Sequence, residues 1–249
     1  MGTQREFEIW DKSGSGVLTE TPLIYKACRD GKIGSVHSYS EGCIYDTVFT
    51  YLCGKPDEKF VQEHLDLIYE SRLVCMTPEW EEYIRGLPVK FILKREVMAP
   101  LSSESVKKLG TLPEGYSLSP FTREIFEEHP FDHGRNYKDY DDFVSNGAGA
   151  AVLFDGKVVS ASSSFITLGD NVELDVFTDP GHRQKGLADH CVYEMLRQSS
   201  SKKLTVHWDA QNVMSTEMAK SHGFTPVTEY AVYWLERGDN DDKKNPRVV

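Results

Sequence analysis

The segment that most constrains the fold lies between residues 171 and 208, where two strand patterns flank a loop and a helical pattern. NVELDVFT (171–178) and LTVHW (204–208) have the apolar and β-branched composition of strands. Between them, GLADHCVYEMLRQ (186–198) repeats apolar side chains at helical spacing. A strand that returns to its sheet through a helix runs parallel to the first strand, by a right-handed crossover. The segment therefore predicts an α/β fold with a parallel strand pair.

The loop between the first strand and the helix has the composition of an anion site. The stretch DPGHRQKGLADH (179–190) places Arg183, Lys185 and Gly186 where the helix is expected to begin. The first amides of a helix lack backbone partners and carry the positive end of the helix dipole, and glycine lets an anion approach them. The loop predicts a phosphate-binding site, and an ordinary turn with solvated cations is the alternative that the loop alone leaves open.

Two spaced motifs resemble those of the GNAT superfamily of N-acetyltransferases. PGHRQKGLA (180–188) resembles the acyl-CoA loop P-x-x-R-x-x-G-x-G/A, and residues 212–224 resemble the segment N-x-x-A-x-x-L-Y-x-x-x-G-F. Finer details, including TDP before the loop and the pair Tyr230 and Tyr233, are similar to the branch that includes the zwittermicin A resistance acetyltransferase. The resemblance implies a mixed, largely antiparallel twisted sheet with flanking helices and a parallel pair at the acyl-CoA site.

The same resemblance implies transfer of an acetyl group from acetyl-CoA, bound as a cosubstrate, to an amine. The loop backbone would hold the pyrophosphate, while the strand end would bind the pantetheine arm and polarise the thioester carbonyl. Asn212 would contact the same arm. The predicted cofactor-binding residues are Phe177, Thr178, Arg183, Gln184, Lys185, Gly186, Leu187, Ala188, Asn212 and Ser215.

Attack on the thioester requires a neutral amine, so a base has to accept a proton. Glu173 and Asp175 alternate along the expected strand and point to one face, where two carboxylates raise each other's pKa. We favour Glu173 as the base, and Asp175 and Asp209 are the alternatives. Three alternatives stay open: a solvated strand face, a carboxylate pair that binds the substrate cation without moving protons, and a helix-capping role for Asp209.

Ala219 departs from the family pattern. It stands seven residues after Asn212, where many GNAT enzymes have a tyrosine that protonates the leaving thiolate. Tyr230, Tyr233 or water could supply that proton, although both tyrosines also suit a protein core. The departure keeps a second hypothesis open, an acyl-CoA-binding module without catalysis that senses or scaffolds. A third hypothesis is a protein N-terminal or lysine acetyltransferase.

The net charge and the distribution of apolar residues limit the classes of partner that we expect. A net charge of -11 and an isoelectric point near 5.2 disfavour nucleic acid, whose phosphates require a basic surface. The acidic body suits solubility or a cationic substrate, and we expect a primary amine of a small molecule, such as an aminopolyol-like antibiotic or metabolite. The sequence has neither a membrane-length apolar run nor a signal peptide, so we expect a cytoplasmic protein without a membrane partner. Homodimer formation stays open.

The cysteine and histidine spacing predicts no metal site. The five cysteines are scattered without a C-x-x-C pair, which also argues against a disulfide framework. His129 and His133 flank Pro130, and a proline there disrupts the helical face that a two-histidine site requires.

Proline, glycine and serine cluster in APLSSESVKKLGTLPEG (99–115), which predicts a domain boundary. We expect a small α/β domain over residues 1–98, without a chemical motif, and the acetyltransferase domain over residues 99–249. In the second domain, Asp155 and Gly156 between two apolar runs predict a hairpin with a type I′ turn.

Overall fold

The structure is a computed structural model that describes residues 15–128 and 136–236. It divides into two compact units. The first contains residues up to Glu96, residues 211–213 and those from Thr228 onward, and the second contains residues 97–210 and 214–227. The predicted domain boundary between residues 98 and 99 stays a prediction.

The helices and strands are numbered in chain order. The elements up to residue 98 are α1 (Leu23–Arg29), β1 (Ser35–Tyr39), β2 (Gly42–Asp46), β3 (Thr50–Gly54), α2 (Glu58–Glu63), α3 (Leu65–Tyr69), β4 (Leu73–Cys75), α4 (Pro78–Arg85) and β5 (Val89–Met98). The later elements are β6 (Tyr116–Pro120), α5 (Arg123–Glu128), α6 (Tyr140–Asn146), β7 (Gly149–Phe154), β8 (Lys157–Leu168), β9 (Asn171–Thr178), α7 (Leu187–Ser201), β10 (Thr205–His207), β11 (Asp209–Ala210), α8 (Val213–His222) and β12 (Pro226–Leu235).

The first unit is built on a mixed sheet with the strand order β1-β2-β3-β4-β12-β5. The β3–β4 pair is parallel, whereas β1–β2, β2–β3 and β4–β12 are antiparallel. Its core includes Trp80, whose side chain is fully buried and whose indole N–H donates to Tyr39 Oη at 3.1 Å. The other large apolar members of this core include Ile44, Leu52, Ile68, Leu73, Ile84 and Ile92.

The apolar spacing of PDEKFVQEHLDLIYES (56–71) predicts one continuous helix, but the structure breaks it at His64, between α2 and α3. The ring Nδ1 of His64 lies 2.9 Å from the Phe60 carbonyl oxygen, the acceptor that the His64 amide would use in an α-helix. The amide donates instead to Val61 O at 3.1 Å. The prediction of one continuous helix was therefore wrong, because the side chain competes for the backbone acceptor.

A buried carboxylate links three parts of the first unit. Glu81 is 7% exposed, and its Oε1 accepts bonds of 2.6 Å from both the Gly16 amide and the Tyr233 hydroxyl. The same oxygen pairs with Arg85 Nη2 at 2.8 Å. Burial would raise the pKa of Glu81, but these donors together hold it below the ordinary glutamate value.

The second unit is built on a five-stranded sheet with the order β10-β9-β8-β7-β6. Strands β9 and β10 are parallel, and the three other pairs are antiparallel. The mixed, largely antiparallel arrangement with a parallel pair is therefore confirmed. The predicted hairpin is also present between β7 and β8, where Asp155 and Gly156 have φ angles of 49° and 74°.

Helix α7 packs on one face of this sheet. Val192, Met195 and Leu196 share a buried cluster with Val172 and Leu174 of β9. The sequence predicted β9 with the observed bounds and the returning strand within one residue at each end. The predicted helix begins one residue early and ends three residues early. His129 and His133 lie outside the described residues. Across residues 15–128 and 136–236, no helix is long and apolar enough to cross a membrane.

Candidate functional site

The parallel strands β9 and β10 part at a defined point. Their register pairs Asn171 with Thr205 and ends where Glu173 pairs with His207. Strand β9 continues to Thr178, while the chain after His207 forms the short strand β11. The second half of β9 therefore has an edge where β10 no longer pairs with it.

Backbone groups of alternate residues face this edge. The Asp179 amide donates to the Val159 carbonyl of β8 at 2.8 Å, and hydrogen-bonding direction alternates along a strand. Val176 and Thr178 consequently direct their amide and carbonyl groups away from β8, toward the side that β10 leaves. The Val176 amide donates to Asp175 Oδ1 at 2.8 Å, and the Thr178 carbonyl accepts from Arg183 Nε at 3.2 Å.

Side chains of β9 also alternate between two environments. Val172, Leu174 and Val176 contact the cluster beneath α7, whereas Phe177 packs with Phe121 and Phe143 in another cluster. Glu173 and Asp175 fall on the Phe177 side by the alternation of a strand. The sequence prediction that these three side chains share a face agrees with this packing.

The two carboxylates on that face differ in environment. Glu173 is 3% exposed, and its Oε1 accepts the Asp209 amide at 3.1 Å. In a continued parallel ladder the Asp209 amide would bond to a β9 carbonyl, so the carboxylate takes the place of that ladder bond. Asp175 is exposed. Asp209 is half-buried in β11.

The loop after β9 has two left-handed residues. A 3-10 turn at Pro180–His182 is capped by Asp179, whose Oδ1 accepts the Gly181 amide at 2.8 Å. Gln184 and Gly186 then adopt φ angles of 63° and 74°. A Cβ at Gly186 would meet no atom within 4 Å, so the backbone there is open to an approaching ligand.

The N-terminus of α7 lacks a side-chain cap. Gly186 stands at the N-cap, whereas Asp57, Thr77 and Asp139 cap α2, α4 and α6 with side-chain oxygens. The first amides of α7 therefore have neither an intrahelical partner nor a capping side chain. Leu187 is 1% exposed and fixes this end of the helix in a core cluster, and Ala188 follows it in the first turn.

A tyrosine from β6 holds two side chains of the loop. Lys185 Nζ lies 2.6 Å from Tyr116 Oη, which also lies 2.8 Å from His182 Nδ1. The tyrosine ring packs against Phe154 with centroids 4.8 Å apart. Of the two cationic side chains in the loop, Arg183 therefore bonds to the end of β9, and Lys185 bonds to Tyr116.

The remaining predicted site residues are distributed over both units. Ser215 Oγ accepts the indole N–H of Trp208 at 3.0 Å within the second unit. Asn212 and Tyr230 belong to the first unit. Tyr230 is fully buried, and its hydroxyl accepts from Arg95 Nε at 3.1 Å.

The position that lacks the usual tyrosine is also buried. Ala219 is 0% exposed and packs in the core with α7. Tyr233, named as an alternative proton donor, is fully buried and donates to Glu81 in the first unit. Burial and that carboxylate raise the pKa of Tyr233 above the ordinary tyrosine value.

Sequence reasoning missed two groups at the strand end. It named side chains but not the Val176 backbone, which faces the edge only because β10 leaves after His207. It also missed Ser160, whose Oγ lies 2.9 Å from the Phe177 carbonyl and 2.8 Å from Thr178 Oγ1. The serine-rich run SASSSF (160–165) in β8 was the available signal. Within the described ranges, no group of three or more His, Cys, Asp or Glu side chains could hold a metal ion.

Comparisons with known proteins identify the family of the chain. The family model described as GNAT acetyltransferase matches residues 19–233. A Bacillus subtilis (strain 168) protein named uncharacterized N-acetyltransferase YdfB is 29% identical over 137 residues, which are 53% of this chain and 52% of the relative. The chain thus spans about half the length of this curated relative.

Two solved structures have a similar fold. A GCN5-related N-acetyltransferase-like protein from Streptococcus suis 89/1591 has a TM-score of 0.68 at 23% identity, over 85% of this chain and 92% of that one. A GCN5-related N-acetyltransferase from Kribbella flavida has a TM-score of 0.53 at 15% identity, over 88% and 96%. At these identities the similarity shows the fold, and it is the mixed α/β fold predicted from the sequence.

Proposed function

This chain belongs to the GNAT acetyltransferase family, and from that premise we propose that it is an acetyl-CoA-dependent N-acetyltransferase acting on a primary amine of a small molecule. The observation that supports the proposal is the arrangement at the end of β9. There, the edge of β9 that β10 no longer pairs with is followed, after the loop 179–186, by an uncapped helix N-terminus. The helix N-terminus suits the pyrophosphate of acetyl-CoA, and the strand edge suits the amide groups of its pantetheine arm.

The pyrophosphate would bind at the beginning of α7. The amides of Leu187 and Ala188 lack a capping side chain, and an anion at a helix N-terminus satisfies such groups. The open space at Gly186 lets the phosphates approach the backbone. Arg183 and Lys185 would add positive charge, and Gln184 would supply its amide from the left-handed turn.

The pantetheine arm would bind along the edge of β9. It contains two amide groups, which can hydrogen-bond to a strand edge as another strand would. Val176 and Thr178 direct backbone groups to that edge, and Asn212 stays a contact predicted from the sequence alone. When acetyl-CoA binds, the Val176 amide would exchange the Asp175 carboxylate for the thioester carbonyl and stabilise its developing negative charge.

We propose Glu173 as the general base. It lies where β9 and β10 part, and the Asp209 amide orients one of its oxygens. Asp175 has an oxygen on the Val176 amide and is exposed, which suits attraction of a cationic amine. The ammonium form of the amine gives one proton to Glu173, and the neutral amine then attacks the thioester carbonyl. The tetrahedral intermediate breaks its C–S bond and expels the CoA thiolate, and the excess proton left on the nitrogen passes to solvent. Water would protonate the thiolate, with Tyr230 as the alternative acid.

A second candidate is an acyl-CoA-binding module without catalysis. The alanine at position 219 favours it, because a methyl side chain has no proton to give to the thiolate. We propose a small-molecule acceptor rather than a protein amine because the sequence resembles the zwittermicin A resistance branch. A cytoplasmic location and a homodimer also remain proposals.

A thiol-release assay tests the proposed function. The full chain is incubated with acetyl-CoA and a panel of polyamines, aminoglycosides and amino-polyols, with a lysine peptide as the protein-type acceptor, and free CoA thiol is followed. Amine-dependent thiol release supports the enzyme. Acetyl-CoA that raises the melting temperature by mass action, with no thiol released for any acceptor, supports the binding module.

The base is tested by Glu173→Gln, with Asp175→Asn as the matched control. Gln keeps an oxygen for the Asp209 amide but accepts no proton, so we expect turnover to fall by about 100-fold to 10,000-fold while acetyl-CoA affinity is kept. Asp175→Asn should change the KM for the amine more than kcat. Unchanged turnover in Glu173→Gln would exclude this residue as the base.

A further inference from the structure

The segment between residues 99 and 115 brings a lysine to the first turn of α7. Lys107 Nζ lies 2.5 Å from Asp189 Oδ1 and 2.9 Å from Ser221 Oγ. His222 Nε2 lies 3.1 Å from the same Asp189 oxygen. These residues all belong to the second unit. We refer to Lys107, Asp189 and His222 as the Lys107 cluster.

The Lys107 cluster has a fixed geometry. The side chain of His222 is 0% exposed, and those of Lys107 and Asp189 are 26% and 21% exposed. Ser105 Oγ lies 2.7 Å from His222 Nδ1, and the Val106 amide donates to the His222 carbonyl at 3.3 Å. The chain that carries Lys107 is thereby held at the end of α8, so its ammonium group has a defined position.

Asp189 is ionised at neutral pH. Burial would raise the pKa of Asp189, but the bonds from His222 and Lys107 hold it below the ordinary aspartate value. Asp189 is the third residue of α7. At a rise of 1.5 Å per residue, its backbone lies about 4.5 Å along the axis from the N-cap residue Gly186. A negative charge so close to the N-terminus repels an anion that binds there, because the separation is shorter than the screening length of physiological salt.

We propose that Lys107 is a positioning residue that neutralises Asp189 and so permits a pyrophosphate to bind at the N-terminus of α7. This inference rests on the proposed function, since it concerns the same anion site. Lys107 touches the carboxylate and not the predicted loop, so it acts on the ligand through Asp189. An acidic residue in the first turn stabilises a helix. With its charge neutralised by Lys107, Asp189 can occupy that turn without preventing an anionic ligand from binding at the same end.

Lys107→Met tests the proposal, with Lys108→Met as the matched control. Lys108 is the next residue, is exposed and carries the same charge, and the described ion pairs do not include it. We expect Lys107→Met to weaken acetyl-CoA binding by about threefold to tenfold at low ionic strength, measured by isothermal titration. The deficit should shrink as salt is added. Lys108→Met should bind as the wild type does.

The double variant separates charge compensation from a structural role. Asp189→Asn in the Lys107→Met background removes the uncompensated charge, so affinity should return to the wild-type value. If the cluster only holds the segment in place, Asp189→Asn should be as harmful as Lys107→Met and the double variant no better than either. Lys107→Gln, which keeps hydrogen bonds to Asp189 and Ser221, provides a second variant if Lys107→Met fails to fold.

The outcomes distinguish this inference from the proposed function. Wild-type protein that binds acetyl-CoA, together with Lys107→Met or Lys107→Gln of equal affinity, would overturn the inference and leave the proposed function standing. Wild-type protein that does not bind acetyl-CoA would overturn both. A salt-dependent loss that Asp189→Asn restores would support the inference.

Discussion

Replacing Gly186 by Glu perturbs the predicted pyrophosphate site with a single change. Gly186 has a φ angle of 74°, and a Cβ there would meet no atom within 4 Å. The substitution therefore creates no clash with the protein, and its cost to folding is the left-handed backbone, about 1 to 2 kcal/mol for a residue with a side chain. It also places a carboxylate at the site where the anion would bind.

The expected effect on binding is much larger than the effect on folding. A hydrogen bond to a charged group contributes about 1.5 to 3 kcal/mol, so the loss of two amide-phosphate bonds costs about 3 to 6 kcal/mol. Since 1.4 kcal/mol corresponds to about tenfold in affinity, the dissociation constant should rise by about 100-fold or more. Isothermal titration, or the rise in melting temperature with acetyl-CoA, measures this change.

Gly169→Glu is the matched control. Gly169 lies in the turn between β8 and β9, has a φ angle of 60°, and also has no atom within 4 Å of a built Cβ. It should lower the melting temperature about as much as Gly186→Glu but leave acetyl-CoA binding intact. Equal binding by Gly186→Glu and wild type, or equal loss in both variants, would refute the assignment of the loop.

Further predictions concern three buried residues. Glu81→Ala should lower the free energy of unfolding by about 3 to 5 kcal/mol, measured with urea, because it removes the acceptor of Tyr233 and Arg85. Since the folded pKa of Glu81 lies below its unfolded value, wild-type stability should fall as the pH drops below about 4.5, and less so in this variant; equal pH profiles would contradict this. Trp80→Ala should cost about 3 to 5 kcal/mol in the same assay, and a loss below about 1 kcal/mol would contradict the packing. Burial raises the pKa of Cys191 to about 12, so pulsed alkylation with mass spectrometry should label this thiol only after unfolding, and labelling as fast as that of the partly exposed Cys43 would count against it.

Local sequence patterns were sufficient for the elements around the candidate site. The strand 171–178 and the helix after it have strong periodicity, and a strand that returns through a helix leaves few topologies. The break at His64 could not be predicted from the helical periodicity of residues 56–71, since it depends on a side chain competing for the Phe60 carbonyl. Short strands such as β4, with three residues, carry too little pattern to be recognised.

The site was predictable by residue type but not by geometry. The sequence indicates that Glu173 and Asp175 share a face, yet the burial of one and the exposure of the other depend on where β10 leaves β9. The Val176 backbone has no sequence signal of its own. Lys107 lies in a segment that composition marks only as a boundary, and its contact with Asp189 spans 82 positions of the chain.

Backbone amide NMR with acetyl-CoA tests the central claim most directly. In ¹⁵N-labelled protein titrated with acetyl-CoA, the account predicts the largest shift changes at Val176, Thr178, Gly186, Leu187 and Ala188. The Val176 resonance should move as its amide exchanges Asp175 for the thioester carbonyl. Saturable changes confined to other residues, or an unchanged spectrum at millimolar acetyl-CoA, would contradict the assignment of the β9 edge and the α7 N-terminus as the acyl-CoA site.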